Sequence, residues 1–278
     1  KDVDGIILRT AKLSARVMQH CPKLKIVARH GVGYDNVDVN YLKENNIGLA
    51  ITGTSNAVSV AEHVMTMFLY LSKKINKSDE LVKKGKFKEK KLLENFYELY
   101  QKKILILGFG RIGHAVAKRC LGFETNVYVY DPFVKKEYIE RKNCKKINFA
   151  NGVAIADFIT IHMPITKKTK NLISKNEFKI MKKNCILVNT ARGGIINESE
   201  LFRALKNKKI LGAGLDVFEK EPPNKNNLLF KLDNVLLTPH NAALTLECRK
   251  RMSVECAENV FYFLKKSKKL NKKNILNL

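Results

Sequence analysis

The sequence predicts an α/β protein in which a doubly wound parallel sheet is inserted in a second, smaller α/β domain. Three observations carry that expectation. Short apolar runs alternate with amphipathic stretches along all 278 residues, the pattern left by buried parallel strands with helices on both faces. A glycine-rich turn, Gly108-Phe109-Gly110-Arg111-Ile112-Gly113, lies between an apolar run and a helix-like segment. A last amphipathic segment, 246–265, is long enough to return the chain to its first unit.

Taken in order, residues 5–9, 25–28 and 48–51 read as short strands, with helices over 12–20 and 41–45 between them. Residues 59–84 carry Val60, Val64, Met67, Phe68, Leu71 and Ile75 at helical spacing and read as one helix long enough to bridge two domains. After the charged stretch 83–91 a second series begins, with strands over 103–107, 126–130, 158–162, 185–189, 211–215 and 235–238. The expected division is 1–77 with 245–278 for the smaller domain and 78–244 for the inserted one, with a cleft between them. No internal repeat is visible, and the biased segment is the lysine- and asparagine-rich tail after Leu264.

The glycine turn explains what the inserted domain is for. Gly108 permits the tight turn, Gly110 lets a pyrophosphate approach the backbone, and Gly113 lets helix and strand pack closely, with phosphate at the positive end of the helix. The next strand ends at Asp131, where a carboxylate can accept both hydroxyls of a ribose. Strand, glycine turn, helix and acidic residue together are the fingerprint of a Rossmann-type dinucleotide-binding sheet. Asp131 favours NAD, because it would repel the 2′-phosphate of NADP.

Composition bounds the rest. A chain that is 45% hydrophobic can bury two cores. No apolar run reaches membrane-spanning length and the first residues lack the layout of a signal peptide. The six cysteines show neither a CxxC pair nor a metal spacing, so no metal site is expected and a reduced, cytoplasmic setting is. The net charge of +26 invites a nucleic-acid partner. Lysine pairs are instead scattered through every segment, beside abundant asparagine and isoleucine, so a solvated surface is the expectation and nucleic acid is not.

Ligands of such sheets sit outside the carboxyl ends of the strands. There the sequence offers Thr190-Ala191-Arg192-Gly193-Gly194, then Asp216 to Pro222 with Glu219 and Glu221, then Thr238-Pro239-His240-Asn241. One guanidinium, acidic groups and one imidazole are what hydride transfer to a 2-oxo acid needs. A histidine titrates near neutrality and can protonate the carbonyl oxygen. An arginine can grip the carboxylate in a planar, bidentate way and stabilise the alkoxide. A carboxylate beside the histidine would orient it and raise its pKa.

Together with Arg29-His30-Gly31-Val32-Gly33-Tyr34-Asp35, Ser59-Val60-Ala61-Glu62-His63, Asp131-Pro132, His162-Met163-Pro164 and Asn189, these motifs cover nearly the whole chain. In this order they resemble the D-2-hydroxyacid dehydrogenases, in the branch of phosphoglycerate dehydrogenases and hydroxypyruvate or glyoxylate reductases. The resemblance implies a flavodoxin-like substrate domain around the NAD domain, a small D-2-hydroxy or 2-oxo acid as substrate, and a homodimer formed through the cofactor domains. It implies Arg192 at the substrate carboxylate and carbonyl, His240 as acid/base and Glu221, matching the family's Glu-Pro, as its partner. Backbone N–H groups of Val32 and Gly33 would hold the carboxylate from the other domain. Arg111 and Ile112 would contribute at the pyrophosphate, Asp216 would meet the nicotinamide carboxamide, and His162, Pro164 and Thr190 would line the cofactor site.

Of the other histidines, His30 lies beside the substrate loop, His63 and Glu62 lie on a helix where packing and capping are the default, and His20 and His114 carry no functional expectation. Family members usually carry a strand and a helix ahead of the segment that opens this chain, so a truncated chain with an incomplete sheet edge is expected. Asn241-Ala242-Ala243 also departs from the apolar residue and glycines of many relatives. The alternative function is an NAD(H)-sensing, co-repressor-like binding protein.

Overall fold

A computed structural model describes residues 2–93 and 95–276, which form two compact units, Lys1–Ser59 with Ala243–Leu278 and Val60–Ala242. In the first unit, strands β1 (Gly5–Leu8), β2 (Ile26–Arg29) and β3 (Gly48–Ile51) pair in parallel in that order. Ile26, Val27 and Ala28 are all fully buried because apolar side chains cover both faces of the sheet. Leu8, Met18, Val27, Leu42 and Leu49 pack on one face. On the other, Ile26, Ala28 and Ala50 meet Cys256, Val260 and Phe263 of the helix Leu246–Leu264.

Two local expectations for this unit change. The helix expected over 12–20 shrinks to Ala15–Met18, because Leu13 forms a parallel bridge with Val37 and its backbone is extended. Within the lysine-rich tail, Ile275–Leu276 adds an antiparallel strand beside β3. Two residues are too few for a periodic signal.

The second unit is a seven-stranded, all-parallel sheet of β4 (Lys103–Leu107), β5 (Asn126–Tyr130), β6 (Lys145–Lys146), β7 (Phe158–Ile161), β8 (Ile186–Asn189), β9 (Gly212–Leu215) and β10 (Val235–Leu237). Its order is β6-β5-β4-β7-β8-β9-β10, with every pair parallel. The chain therefore winds outward from β4 in one direction and from β7 in the other, the Rossmann-type arrangement with its switch point between those two strands. Both faces are packed, one around Leu105, Ile159 and Leu187, the other around Ile104, Ile106 and Val188.

The helix expected over 59–84 is two helices, Ala57–Lys73 and Ile75–Lys83, separated by Lys74 in the left-handed region at φ 48°. Ala61, Val64, Met67 and Phe68 join the second core, where the Phe68 and Phe158 rings meet edge to face at 4.9 Å. Gly214 admits Met67, since a Cβ there would lie 2.7 Å from its sulfur. Residues 60–77 accordingly go with the second unit by their packing, whereas the expected division counted them with the first.

Candidate active site

The glycine turn leaves β4 at the switch point. Gly108 has φ +94°, and a Cβ there would lie 2.5 Å from the His162 carbonyl oxygen, so no other residue fits between the ends of β4 and β7. A Cβ on Gly113 would overlap the Gly108 carbonyl. At Gly110 a Cβ would meet nothing within 4 Å. That open side is the one a pyrophosphate needs, at the start of the helix Arg111–Gly122, which no side chain caps. Asp131 closes the turn: its Oδ2 accepts the Phe109 N–H at 2.8 Å and its Oδ1 the Phe133 N–H at 2.9 Å.

Three further buried atoms sit at carboxyl ends of this sheet with no hydrogen-bond partner: His162 Nδ1, Thr190 Oγ1 and Asn241 Oδ1. Buried polar atoms are ordinarily paired, so the carboxyl edge fits a polar ligand such as a dinucleotide. Burial pushes the His162 imidazole down to about 3, which keeps it neutral while its Nε2 lies 2.9 Å from Thr160 Oγ1. Pro164 is exposed, and its carbonyl accepts the Thr169 hydroxyl at 2.7 Å.

Arg192 is held by the residue that ends β8. Asn189 accepts the Ala191 N–H at 3.0 Å and donates to the Arg192 carbonyl at 2.8 Å, clamping the turn from both sides. Gly193 brings this turn against the loop after β9, where any Cβ would overlap the Phe218 carbonyl. The two acidic candidates of that loop then separate. Glu219 accepts the N–H of Glu198 at 2.8 Å, at the start of the helix Glu198–Lys206. Glu221 accepts the Phe218 N–H at 3.1 Å with one oxygen and His240 Nδ1 at 2.7 Å with the other.

A carboxylate can only accept, so Nδ1 of His240 carries the proton and Nε2 is the atom left for chemistry. The Glu221 hydrogen bond raises the His240 pKa above the ordinary imidazole value; burial and the Arg192 charge oppose it, and the charges of Glu221 and Asp216 add to it. Burial pushes the Glu221 carboxyl up, but the His240 hydrogen bond and charge, the Phe218 N–H and Arg192 together bring it below its usual range. The pair is thus biased toward imidazolium and carboxylate, with the His240 side chain still 52% accessible.

Asp216 faces protein. It is fully buried, and its oxygens accept the Thr238 hydroxyl at 2.5 Å and the N–H groups of Asn241 and Ala242, each at 2.9 Å. Thr238 is in turn 3.0 Å from His63 Nε2. Thr238 and His63 were not among the expected site residues. Thr238 stood two positions before His240 in sequence, but His63 lies 175 positions from Thr238, and its place in the Ser59-to-His63 motif gave it no role beyond packing or capping.

In the first unit, Val32 and Gly33 lie in the loop after β2, tied down at Gly31, whose N–H donates to Thr52 Oγ1 at 2.8 Å. His30 Nε2 lies 3.3 Å from Ser253 Oγ, and burial, with Arg9 and Arg29 adding to it, lowers its pKa. A groove of about 810 Å³, bordered by Tyr70, Lys183 and Asn234, opens at the amino-terminal edge of the seven-stranded sheet and contains none of the acid–base residues.

The chain is similar to known proteins along nearly its whole length. Residues 65–242 match the family model for the NAD binding domain of D-isomer specific 2-hydroxyacid dehydrogenases. The chain is 42% identical over 276 residues to a D-3-phosphoglycerate dehydrogenase of Archaeoglobus fulgidus, covering 99% of this chain and 51% of that protein, so it spans about half the length of that relative. It is 37% identical to a glyoxylate reductase of Thermococcus litoralis, over 95% of this chain and 82% of the relative. Among solved structures, the Aquifex aeolicus D-lactate dehydrogenase complexed with NAD and lactic acid superposes with a TM-score of 0.88 at 31% identity, over 99% of this chain and 87% of that one. A switch-point glycine turn, an arginine after β8 and a paired glutamate and histidine, on a chain so matched, make it a member of the D-isomer specific 2-hydroxyacid dehydrogenase family.

Proposed function

We propose that the chain is an NAD-dependent oxidoreductase that interconverts a small D-2-hydroxy acid and its 2-oxo acid, of the 3-phosphoglycerate, hydroxypyruvate or glyoxylate type. The observation that carries this reading is the Glu221–His240 pair, 2.7 Å apart, next to the Arg192 turn at the same sheet end as the glycine turn. Bound NADH supplies the hydride. His240 Nε2 gives its proton to the substrate carbonyl oxygen, and Glu221 keeps the ring oriented and charged before that transfer. Arg192 grips the substrate carboxylate and the oxygen that becomes the alcohol. The backbone N–H groups of Val32 and Gly33 belong to the same proposal as donors suited to a carboxylate.

For the cofactor, Gly108, Gly110 and Gly113 shape the pyrophosphate seat, Arg111 and Ile112 open the helix behind it, and Asp131 takes the ribose. His162, Pro164 and Thr190 border the remainder, while Asp216, expected at the nicotinamide, is fully buried and turned to Thr238, Asn241 and Ala242 instead. Two features support these assignments: the open side of Gly110 and the unpaired His162 Nδ1 and Thr190 Oγ1. The named relatives, all dehydrogenases or reductases, favour this reading over a binding protein without turnover.

A homodimer is part of the same proposal. Its support in this chain is the helix Ile75–Lys83, which buries none of its residues and leaves Ile75 and Val82 exposed. Six free cysteines and the absence, among the described residues, of any helix long and apolar enough to cross a membrane accord with a reduced cytoplasmic setting.

The test is steady-state kinetics on a panel of 2-oxo acids with NADH and NADPH side by side. Consumption of NADH with at least one of hydroxypyruvate, glyoxylate or the phosphorylated hydroxypyruvate is expected. Arg192→Ala and His240→Ala should each lower kcat/KM by roughly 100-fold or more. A folded protein that turns over none of the panel would overturn the reading.

A further inference from the structure

We propose that His63, Thr238 and Asp216 form a positioning device that holds the backbone turn carrying His240, so that the acid–base ring is aimed by the buried carboxylate as well as by Glu221. The proposal rests on His240 being the acid–base group. His240 has φ 52°, in the left-handed region that side-chain-bearing residues disfavour, and its own N–H reaches back to the Thr238 carbonyl at 3.1 Å. Something outside the turn must therefore hold it. Asp216 brackets residue 240 on both sides: it takes the Thr238 hydroxyl before it and the Asn241 and Ala242 N–H groups after it. The aspartate is anchored itself, its N–H donating to the Asn189 carbonyl at 3.0 Å in the turn that leads to Arg192.

Counting protons extends the chain of bonds to His63. The Asp216 carboxylate only accepts, so the single Thr238 hydroxyl proton goes to it, and the Thr238 oxygen must accept the hydrogen bond from His63. His63 Nε2 then carries a proton. Burial lowers the His63 pKa while the Asp216 charge, 3.8 Å away, raises it. His63 stands on the helix Ala57–Lys73 between the buried Ala61 and Val64, so its ring is carried by a core-packed element. A helix that precedes the glycine turn thus braces the loop 175 residues further on.

Thr238→Val keeps the shape and removes the hydroxyl; Thr238→Ser restores it. With the full chain, kcat should fall roughly 10- to 100-fold in the valine variant, the loss that a small misplacement of a reacting group brings. The dissociation constant for NADH, read by fluorescence, should stay within about twofold of the parent, and serine should recover most of kcat. His63→Leu should behave as valine does, and His63→Gln, whose amide can still donate, as serine does. Equal losses in Thr238→Val and Thr238→Ser, an unchanged kcat in the valine variant, or loss of NADH binding in step with kcat would each overturn the proposal. Ring nitrogen NMR of His63 adds a readout that needs no substrate. An Nε2–H ring in the parent that changes in Thr238→Val supports the device; an Nδ1–H ring with bare Nε2 overturns it. A parent with no turnover sinks the proposed reaction, and the nitrogen spectrum then decides the hydrogen-bond chain by itself.

Discussion

Glu221 and His240 are 19 residues apart in sequence and 2.7 Å apart in space, and that single hydrogen bond sets which ring nitrogen carries the proton and favours the charged ring. Because the bond to Glu221 is the largest influence raising the His240 pKa, with Asp216 adding and burial and Arg192 subtracting, the direction of its pH dependence can be worked out. Reduction of a 2-oxo acid uses imidazolium, so kcat/KM for reduction should hold at low pH and fall as pH rises through the elevated His240 pKa. Glu221→Gln keeps an acceptor but removes the charge. The fall should move to lower pH, with the maximal rate also reduced, and a pH profile of kcat/KM for parent and variant checks it. An unmoved profile would mean that the titrating group is not His240. Spacing in the sequence left Glu219 and Glu221 equally placed, and only the resemblance to family members preferred the second. Geometry separates them because Glu219 is committed to the Glu198 N–H.

At the scale of elements, what the sequence made legible follows from burial. β7, β8 and β9 are buried at every residue, so each leaves a run with at most one polar residue, and the glycine turn is readable because Gly108 and Gly113 sit where any Cβ would collide. β6 is only Lys145–Lys146, with both residues exposed, and gave no such signal. The tie from His63 through Thr238 to Asp216 depends on which face of a helix meets a distant loop, which periodicity does not encode. The break at Lys74 is the sharpest case, since the helical spacing of apolar residues runs on past it to Ile75 while the backbone turns left-handed. Stability can decide between a broken and a continuous helix. In the left-handed region a glycine avoids a penalty of about 1–2 kcal/mol, offset in part by its greater freedom when unfolded. Lys74→Gly should therefore leave stability unchanged or raise it by up to about 1 kcal/mol. Inside a continuous helix the same change would lower it by about 1 kcal/mol. Urea denaturation of the two proteins measures the sign, and a clear loss would contradict the break.

For the whole molecule, the dominant physical fact is 52 lysines and arginines against 26 aspartates and glutamates, a net charge of +26. The ion pairs that do form are mostly exposed, such as Lys83–Asp79 and Lys136–Glu140, and pairs of that kind contribute about 0–1 kcal/mol each. Cations beyond those pairs repel one another across both units, and the repulsion is lost when the chain expands on unfolding. Salt weakens both effects, with a screening length of about 10 Å at 0.1 M and 3 Å at 1 M. Since the excess of like charge equals the whole complement of carboxylates, relief of repulsion should outweigh loss of attraction. The thermal midpoint should therefore rise between 50 mM and 500 mM sodium chloride, by calorimetry or dye-monitored melting. A midpoint that falls over that range would show that specific ion pairs, not net repulsion, govern the electrostatics. The same titration with a random DNA duplex tests the charge from the other side. Affinity tighter than about micromolar at physiological salt, tighter than usual for non-specific binding and with the steep slope of counterion release, would mark the lysines as a nucleic-acid surface. Lysine pairs spread from Lys73-Lys74 to Lys272-Lys273 predict weaker binding than that.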